Sequence, residues 1–439
     1  MLIATLRFRR TFASVLLVVA LTPHLAWSQA TDDILPTEGS LAMEKEHRER
    51  SKGINMLLKG ETPFDPKDAK QAEMLDYEAR YMVYRLTWPE WQDNKDPQKN
   101  IDRLFHYCDL SWGQLSKDIA AGKVNKAVAA NLTKAIITRA VEVIDNTRKP
   151  IGQINAARLL ARLVDTRAER QADSIFPRLG VPDPGQPAVI NDLAKALTGA
   201  LGHKNDAVKY YATRGLRDMF RAQDLSKEKL EVANAEAAVT ALANLILRRV
   251  EFVKDTPQDE IDGYRVLRRE AIRALAQSRA PIVGAARPAL TLLKVAADDG
   301  LVPEARGDER FEAVIGLGLM RPDEGKQYQP DYAAYHLALA LADVARSIRT
   351  KDERPRAWKV HAAQLTDALT EMKNQSKNPF VTQVVDRTVK DLLAPMETGG
   401  EVNNERFLEA VQKMTLPSSS LYKDDAKATV KPRSAPAEK

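Results

Sequence analysis

Cysteine and aromatic residues are scarce in this chain, and each shortage excludes something. The single cysteine, Cys108, leaves no second thiol for a disulfide within the chain, so the fold must be held together by burial alone. We interpret Cys108 as a small buried side chain. The alternative is that its thiol acts as a nucleophile or forms a disulfide with another chain. Aromatics make up 6% of the residues, and runs of alternating Val, Ile and Thr are missing, so we expect little or no β-sheet.

Motifs for catalysis and metal binding are also missing. Five of the six histidines lie beyond the N-terminal segment: His47, His106, His203, His336 and His361. None of them forms the HxH, HExxH or HxxxH spacing of a helix-borne zinc pair. The sequence has no GxSxG elbow, no glycine-rich phosphate loop and no calcium loop of alternating acids. We therefore predict no catalytic residue, no metal site and no cofactor.

The charge of the chain sits mainly at its two ends. The formal net charge is +6, to which residues 1–30 contribute three arginines and no acid, and residues 417–439 contribute five bases and three acids. Residues 31–416 therefore carry only +1. A nearly neutral body gives little long-range attraction to a polyanion, so a nucleic-acid partner is not favoured.

The N-terminus has the three parts of a secretory signal peptide, which we assign to residues 1–28. A basic start is followed by the apolar run from Phe12 to Leu21, and then by small residues at Ala26, Ser28 and Ala30. The apolar run is much shorter than the roughly 20 residues that span a bilayer, so a transmembrane anchor is not expected. We predict a periplasmic or secreted protein. Arg9-Arg10-Thr11-Phe12 resembles a twin-arginine signal, which leaves that export route open beside the general one.

Beyond the signal the composition predicts an all-α chain in four parts. Ala, Leu, Arg, Glu and Lys fill the long segments, and these are strong helix formers. Residues 29–60 are predicted to be a flexible lead and a polar helix, and residues 61–148 an N-terminal helical section. Residues 149–416 are predicted to be helical repeats. The tail, residues 417–439, shows no packing pattern and is predicted to be disordered.

A pattern of small residues recurs within the repeat region. It pairs Ala212 with Gly215, Ala271 with Ala274 and Ala313 with Gly316, and more weakly Ala157 with Leu160. A small residue once per helical turn lets a neighbouring helix approach closely, as the stacking of helix pairs requires.

At these residues the sequence resembles the HEAT-repeat family, including its short phycobilisome-lyase type. The resemblance covers about residues 149–350 and implies an α-α superhelix, or helical solenoid, that binds other macromolecules. Equivalent alanines are 55, 59 and 42 residues apart, whereas repeats of this family run at about 40 to 47, so inserts are required. The resemblance does not imply lyase activity, because the repeat is shared with many proteins that are not enzymes.

Two groups of residues could contact a partner. The first is an aromatic concentration that includes Trp88, Trp91 and Trp112; exposed, it suits a protein hot spot or sugar stacking, and buried, it is the core of the N-terminal section. The second is an arginine series on adjoining helices, whose alternative is a salt-bridged, solvated helix face. Its members are Arg248, Arg249, Arg265, Arg268, Arg269 and Arg273.

These observations predict an exported helical-repeat scaffold that binds another protein and does no catalysis. One alternative is a binder of polyanions or envelope glycans that uses the arginines, the aromatics and the basic tail. Another is an enzyme with a dispersed site, which a deep pocket lined by His106 and Cys108, or by another convergent titratable group, would support.

Overall fold

The computed structural model describes residues 37–88, 125–147, 149–164, 187–223, 230–321, 325, 327–349, 357–398 and 402–431. The predicted signal peptide, Cys108 and His106 lie outside them. The described residues form fifteen α-helices, a 3-10 turn at Arg85–Thr87 and a π-helical turn at Val389–Leu393, and they contain no β-strand. The helices are α1 Thr37–Leu58, α2 Ala69–Tyr84, α3 Lys126–Asn146, α4 Pro150–Arg162, α5 Pro187–Leu201, α6 Asp206–Gln223, α7 Val232–Leu247, α8 Gln258–Ala276, α9 Pro288–Ala297, α10 Gly307–Gly318, α11 Pro330–Arg349, α12 Ala357–Ser376, α13 Pro379–Thr388, α14 Ala394–Thr398 and α15 Asn404–Gln412.

Local sequence signals fix where many of these helices begin. Asp68 caps α2 by accepting the N–H groups of Lys70 and Gln71, and Asn125 and Asn378 cap α3 and α13 in the same way. Proline occupies the first turn of α4, α9 and α13, where its missing N–H costs nothing. Pro288 begins α9, and the preceding residues 283–286 form a turn closed by two backbone hydrogen bonds between Val283 and Ala286.

The helices stack in two layers and form an all-α helical solenoid, as predicted. Layer one consists of α4, α6, α8, α10 and α12, each packed against the next. Layer two consists of α3, α5, α7, α9, α11 and α13, which follow one another in the same way and pack behind layer one. Because α3 packs against both α4 and α5, the N-terminal helical section continues the stack.

The small-residue pattern falls on four consecutive layer-one helices, α4, α6, α8 and α10. A Cβ added to Gly215 of α6 would lie 3.0 Å from the Cα of Ala161 in α4, and one added to Gly316 would lie 2.6 Å from the Cβ of Ala276. Ala212, Ala271 and Ala313 are fully buried. Layer one therefore stacks tightly because side chains are nearly absent where its helices meet.

The tail folds back onto the solenoid, so the prediction of disorder is wrong for residues 417–431. Leu421, Tyr422 and Ala428 are fully buried and Val430 is 6% exposed. The segment forms isolated β-bridges rather than a regular element, and this is why it shows no periodic pattern in the sequence. Residues 432–439 lie outside the described residues.

The docked tail binds two loops of the solenoid that are far apart in the sequence. The Tyr422 hydroxyl donates to the carbonyl of Pro281 at 2.8 Å, in the loop between α8 and α9. The backbone N–H of Gln329 donates to the carbonyl of Leu421 at 2.9 Å, at the start of α11. Arg287 lies over the Tyr422 ring, 5.3 Å from its centroid. The tail thus joins two successive repeats along one edge.

Candidate binding surface

One of the predicted binding arginines is buried inside the fold. Arg268 on α8 is 1% exposed, and its guanidinium donates to both carboxylate oxygens of Glu309 on α10 at 2.7 Å. Burial by itself would lower the pKa of Arg268, but the hydrogen bonds and charge of Glu309 outweigh it and raise the pKa. The prediction that Arg268 contacts a partner is wrong, because its charged group is enclosed between the two helices.

The other three predicted arginines of α8 are partly exposed and also pair with acids of α10. Their side chains are between 14% and 37% exposed. The pairs are Arg265 with Glu309 at 2.8 Å, Arg269 with Asp308 at 2.6 Å, and Arg273 with Glu312 at 2.7 Å. This is the salt-bridged helix face that the sequence left open as the alternative, and a partner contact for these three residues stays a prediction.

Arg248 and Arg249 lie in the loop between α7 and α8, at the end of the helices. The Arg248 guanidinium lies 5.3 Å from the centroid of the Tyr264 ring and 3.9 Å from the carboxylate of Asp206. Arg249 is exposed. The two residues therefore do not share a helix face with the arginines of α8, and the predicted single arginine surface is divided.

The aromatic cluster is core where the structure describes it. Trp88 is 1% exposed and lies edge-on to Tyr81, with ring centroids 6.3 Å apart. Tyr77 and Tyr84 are buried as well. Trp88 is therefore not a contact residue, whereas Trp91 and Trp112 lie outside the described residues and stay a prediction.

A surface that the sequence did not single out lies on layer one. Each layer-one helix is flanked by its neighbours and backed by layer two, so its remaining stripe of partly exposed residues must face away from layer two. These stripes repeat at spacings of three and four, as one helix face requires. We call the surface the ribbon, and its members are Arg158 and Arg162 on α4; Tyr210, Arg214, Arg217 and Arg221 on α6; Arg265, Arg269 and Arg273 on α8; Asp308 and Glu312 on α10; and Gln364, Asp367 and Glu371 on α12.

The ribbon is basic at one end. Together α4 and α6 contain six basic and two acidic residues, a net charge of +4. One of the two acids, Asp218, is 3% exposed and is bound by Arg217 at 3.1 Å. Arg214 lies over the ring of Tyr210, 5.8 Å from its centroid, and Arg221 is exposed. We call this part, α4 and α6, the basic end.

Acids occupy the ribbon at the other end, although α12 as a whole has no net charge, because Lys359 and Lys373 balance Asp367 and Glu371. Helix α10 contains three acids and one arginine, a net charge of −2. That arginine, Arg310, points into the fold and binds Asp343 at 2.7 Å. Asp367 and Glu371 are exposed on α12 and line a cavity of about 400 Å³. The remaining lining residues are Arg279, Leu319, Gln364, Ala368 and Gln375.

A second concavity of about 530 Å³ lies on layer two, between α3 and α5. Its floor is apolar and includes Ile137, Val141 and Ala196. Lys134 and Asp192 form an ion pair of 3.4 Å at its rim. No catalytic arrangement is visible among its described residues.

Possible metal ligands are not clustered in the part of the chain that the structure describes. It contains no group of three or more His, Cys, Asp or Glu that could hold a metal ion. His336 is buried beside Tyr332, and burial lowers its pKa to about 4, so its ring is neutral at pH 7. None of the described helices is long and apolar enough to cross a membrane.

Comparison with known proteins identifies no family. No family model matches the chain, and no curated protein matches it. A solved structure described as "Crystal Structure of Engineered Protein" covers 61% of this chain and 98% of its own, with 16% identity and a TM-score of 0.32. A likeness this weak carries no argument about fold or function.

Proposed function

We propose that this chain is a helical-repeat scaffold that binds another protein on its ribbon. The observation that supports the proposal is the continuous charged face of α4, α6, α8, α10 and α12. Among the described helices, each member of layer one packs against the next, so the charged face repeats along the array. A surface repeated over stacked helices suits an extended partner segment that crosses them, as in other solenoids.

Two further parts of the proposal come from the sequence. The signal-like segment 1–28 supports export to the periplasm or the medium. The small residues on α4, α6, α8 and α10 support a place for the repeats beside HEAT-type arrays. The binding role needs no catalytic group, and we propose that the chain acts without one.

Site-specific photo-crosslinking in the exported fraction tests the proposal. A photoreactive amino acid is placed at Arg221 or Gln364 on the ribbon and, as a matched control, at Lys134 or Lys195 on layer two. We expect one discrete protein adduct at both ribbon positions and none at the layer-two positions. Adducts confined to layer two, or no adduct at any position, would contradict the proposal.

A further inference from the structure

We infer that the basic end of the ribbon binds a carboxylate-rich segment of the partner protein, whose chain then places basic residues against α12. The inference rests on the proposed function and names the chemistry of the partner. It comes from the order of charge along the ribbon, from +4 on α4 and α6, through the mutually paired charges of α8 and α10, to the exposed acids Asp367 and Glu371 on α12.

The arginine stripes of the basic end stand side by side. The close approach of Gly215 to Ala161 brings the C-terminal halves of α6 and α4 together. Arg162 belongs to that half of α4, and Arg214 and Arg221 lie on the exposed stripe of α6. Helices packed this closely are about 8 to 10 Å apart, so an extended chain bound along Arg214 and Arg221 also lies beside the end of α4 that carries Arg162. Arginine suits this role, because its planar fork binds carboxylates in a bidentate manner.

The fold itself shows which arginines are already matched by acids. The arginines of α8 pair with acids of α10, and Arg217 pairs with Asp218 and Glu270. Within the described residues, Arg214 and Arg221 form no ion pair. The positive charge that remains for a partner is therefore concentrated on α6 and not on α8, where the sequence suggested it.

The same order of charge favours a protein segment over a long polyanion. A nucleic acid or polysaccharide that runs along the ribbon would pass Asp308 and Glu312, which already pair with arginines of α8, and would then meet the exposed acids Asp367 and Glu371. Like charges along that path oppose binding. A polypeptide can instead change sign along its length. From α6 to α12 there are three helix spacings, about 30 Å, which about nine extended residues span.

A pair of peptides with identical composition tests the inference on the full-length protein. The block peptide carries about four glutamates, a Gly-Ser spacer and about four lysines, so that its charged ends reach α6 and α12. The mixed peptide carries the same residues with the charges alternating. Fluorescence anisotropy at low salt is expected to show about tenfold tighter binding of the block peptide, because only that peptide matches the charge order of the ribbon.

Charge-reversal variants locate the binding site. Arg214→Glu with Arg221→Glu is expected to weaken block-peptide binding about tenfold, whereas the charge-matched layer-two control, Lys134→Glu with Lys195→Glu, leaves it unchanged. Equal affinity for both peptides, or equal loss in both variants, would overturn the inference. Tighter binding of heparin or duplex DNA than of the block peptide, lost in the ribbon variant, would overturn it in favour of a polyanion.

The inference and the proposed function fail in different ways. If crosslinks at Gln364 persist in the variant with Arg214→Glu and Arg221→Glu, the scaffold proposal stands and the carboxylate-rich segment does not. If the ribbon without these charge reversals gives no crosslink, but the block peptide still binds as expected, the electrostatic site is real and the scaffold proposal fails.

Discussion

At the scale of single residues, the most constrained contact is the buried pair of Arg268 and Glu309. Both side chains are 1% exposed, and the carboxylate also accepts from Arg265 and from the backbone N–H of Arg306. Charges that are removed from water need partners for all their polar atoms. The pair therefore fixes the register between α8 and α10, and losing one member leaves a buried charge.

Replacing Glu309 alone tests this pair. We expect Glu309→Leu to destabilise the protein by about 3–5 kcal/mol, because Arg268 is left as a buried unpaired cation. The double variant with Arg268→Met should lose less, since no charge is then stranded. Urea unfolding gives the comparison. Asp262→Asn, which breaks an ion pair with Arg306 whose two side chains are 51% exposed, serves as the control and should cost no more than about 1 kcal/mol.

His336 makes stability depend on pH. Burial lowers its pKa from 6.5 to about 4, so between these pH values the unfolded chain binds a proton that the folded chain does not. The free energy of unfolding therefore falls as pH decreases from about 6.5 to about 4, by about 3 kcal/mol from this group. Urea unfolding at pH 7 and at pH 4.5 gives the fall in the free energy of unfolding between the two pH values. This fall should be smaller in His336→Phe than in the unchanged protein, because the variant lacks the contribution of His336. An unchanged difference between the two pH values would contradict this account.

At the scale of helices, tight stacking in layer one depends on the small residues. A Cβ on Gly316 of α10 would meet Ala276 at 2.6 Å and Leu292 at 3.0 Å, whereas a Cβ on Gly199 of α5 meets nothing within 4 Å among the described residues. Both glycines lie within helices, where alanine is intrinsically preferred. The two positions thus separate packing from helix propensity.

The matched alanine variants are expected to change stability in opposite directions. Gly316→Ala should destabilise the protein by about 1–3 kcal/mol, because the added methyl group forces α10 away from its neighbours. Gly199→Ala should stabilise it by about 0.5–1 kcal/mol through helix propensity. Thermal or urea unfolding measures both. Equal stabilisation by the two changes would show that layer one is not closely packed at Gly316.

The docked tail is expected to hold the edge of the solenoid together. Truncation after Leu416 removes the buried Tyr422 and should lower the urea midpoint and raise hydrogen exchange in residues 327–332. Truncation after Lys431 keeps every described contact of the tail and should change neither. If both truncations behave alike, the tail contributes nothing to the edge.

The sequence predicts the helices well and their surroundings less well. The abundance of strong helix formers predicts an all-α chain, as observed, and the small-residue pattern identifies four members of one layer. The docked tail could not be predicted, because its contacts are to loops up to 141 residues away and follow no period. Burial also depends on neighbours in space, so the sequence left the burial of Trp88 open between two readings and did not show that Arg268 is core.

At the scale of the whole molecule, charge is ordered across the layer-one face although the chain is nearly neutral between its ends. The four arginines of α8 are conspicuous in the sequence, but acids of α10 pair with them. The arginines of α6 are less conspicuous in the sequence, because they are spaced three and four apart. Only the stacking order shows that α4 and α6 form a basic end and that the exposed acids Asp367 and Glu371 of α12 lie at the opposite end.

Arginine footprinting in the exported fraction tests the central claim most directly. Phenylglyoxal labelling of Arg214, Arg221 and Arg249 is compared between the native extract and the purified protein by mass spectrometry. If the ribbon carries the partner, Arg214 and Arg221 are protected in the extract, while Arg249, exposed in the α7–α8 loop, reacts equally in both samples. Protection of Arg249 with full reactivity of Arg214 and Arg221 would contradict the account.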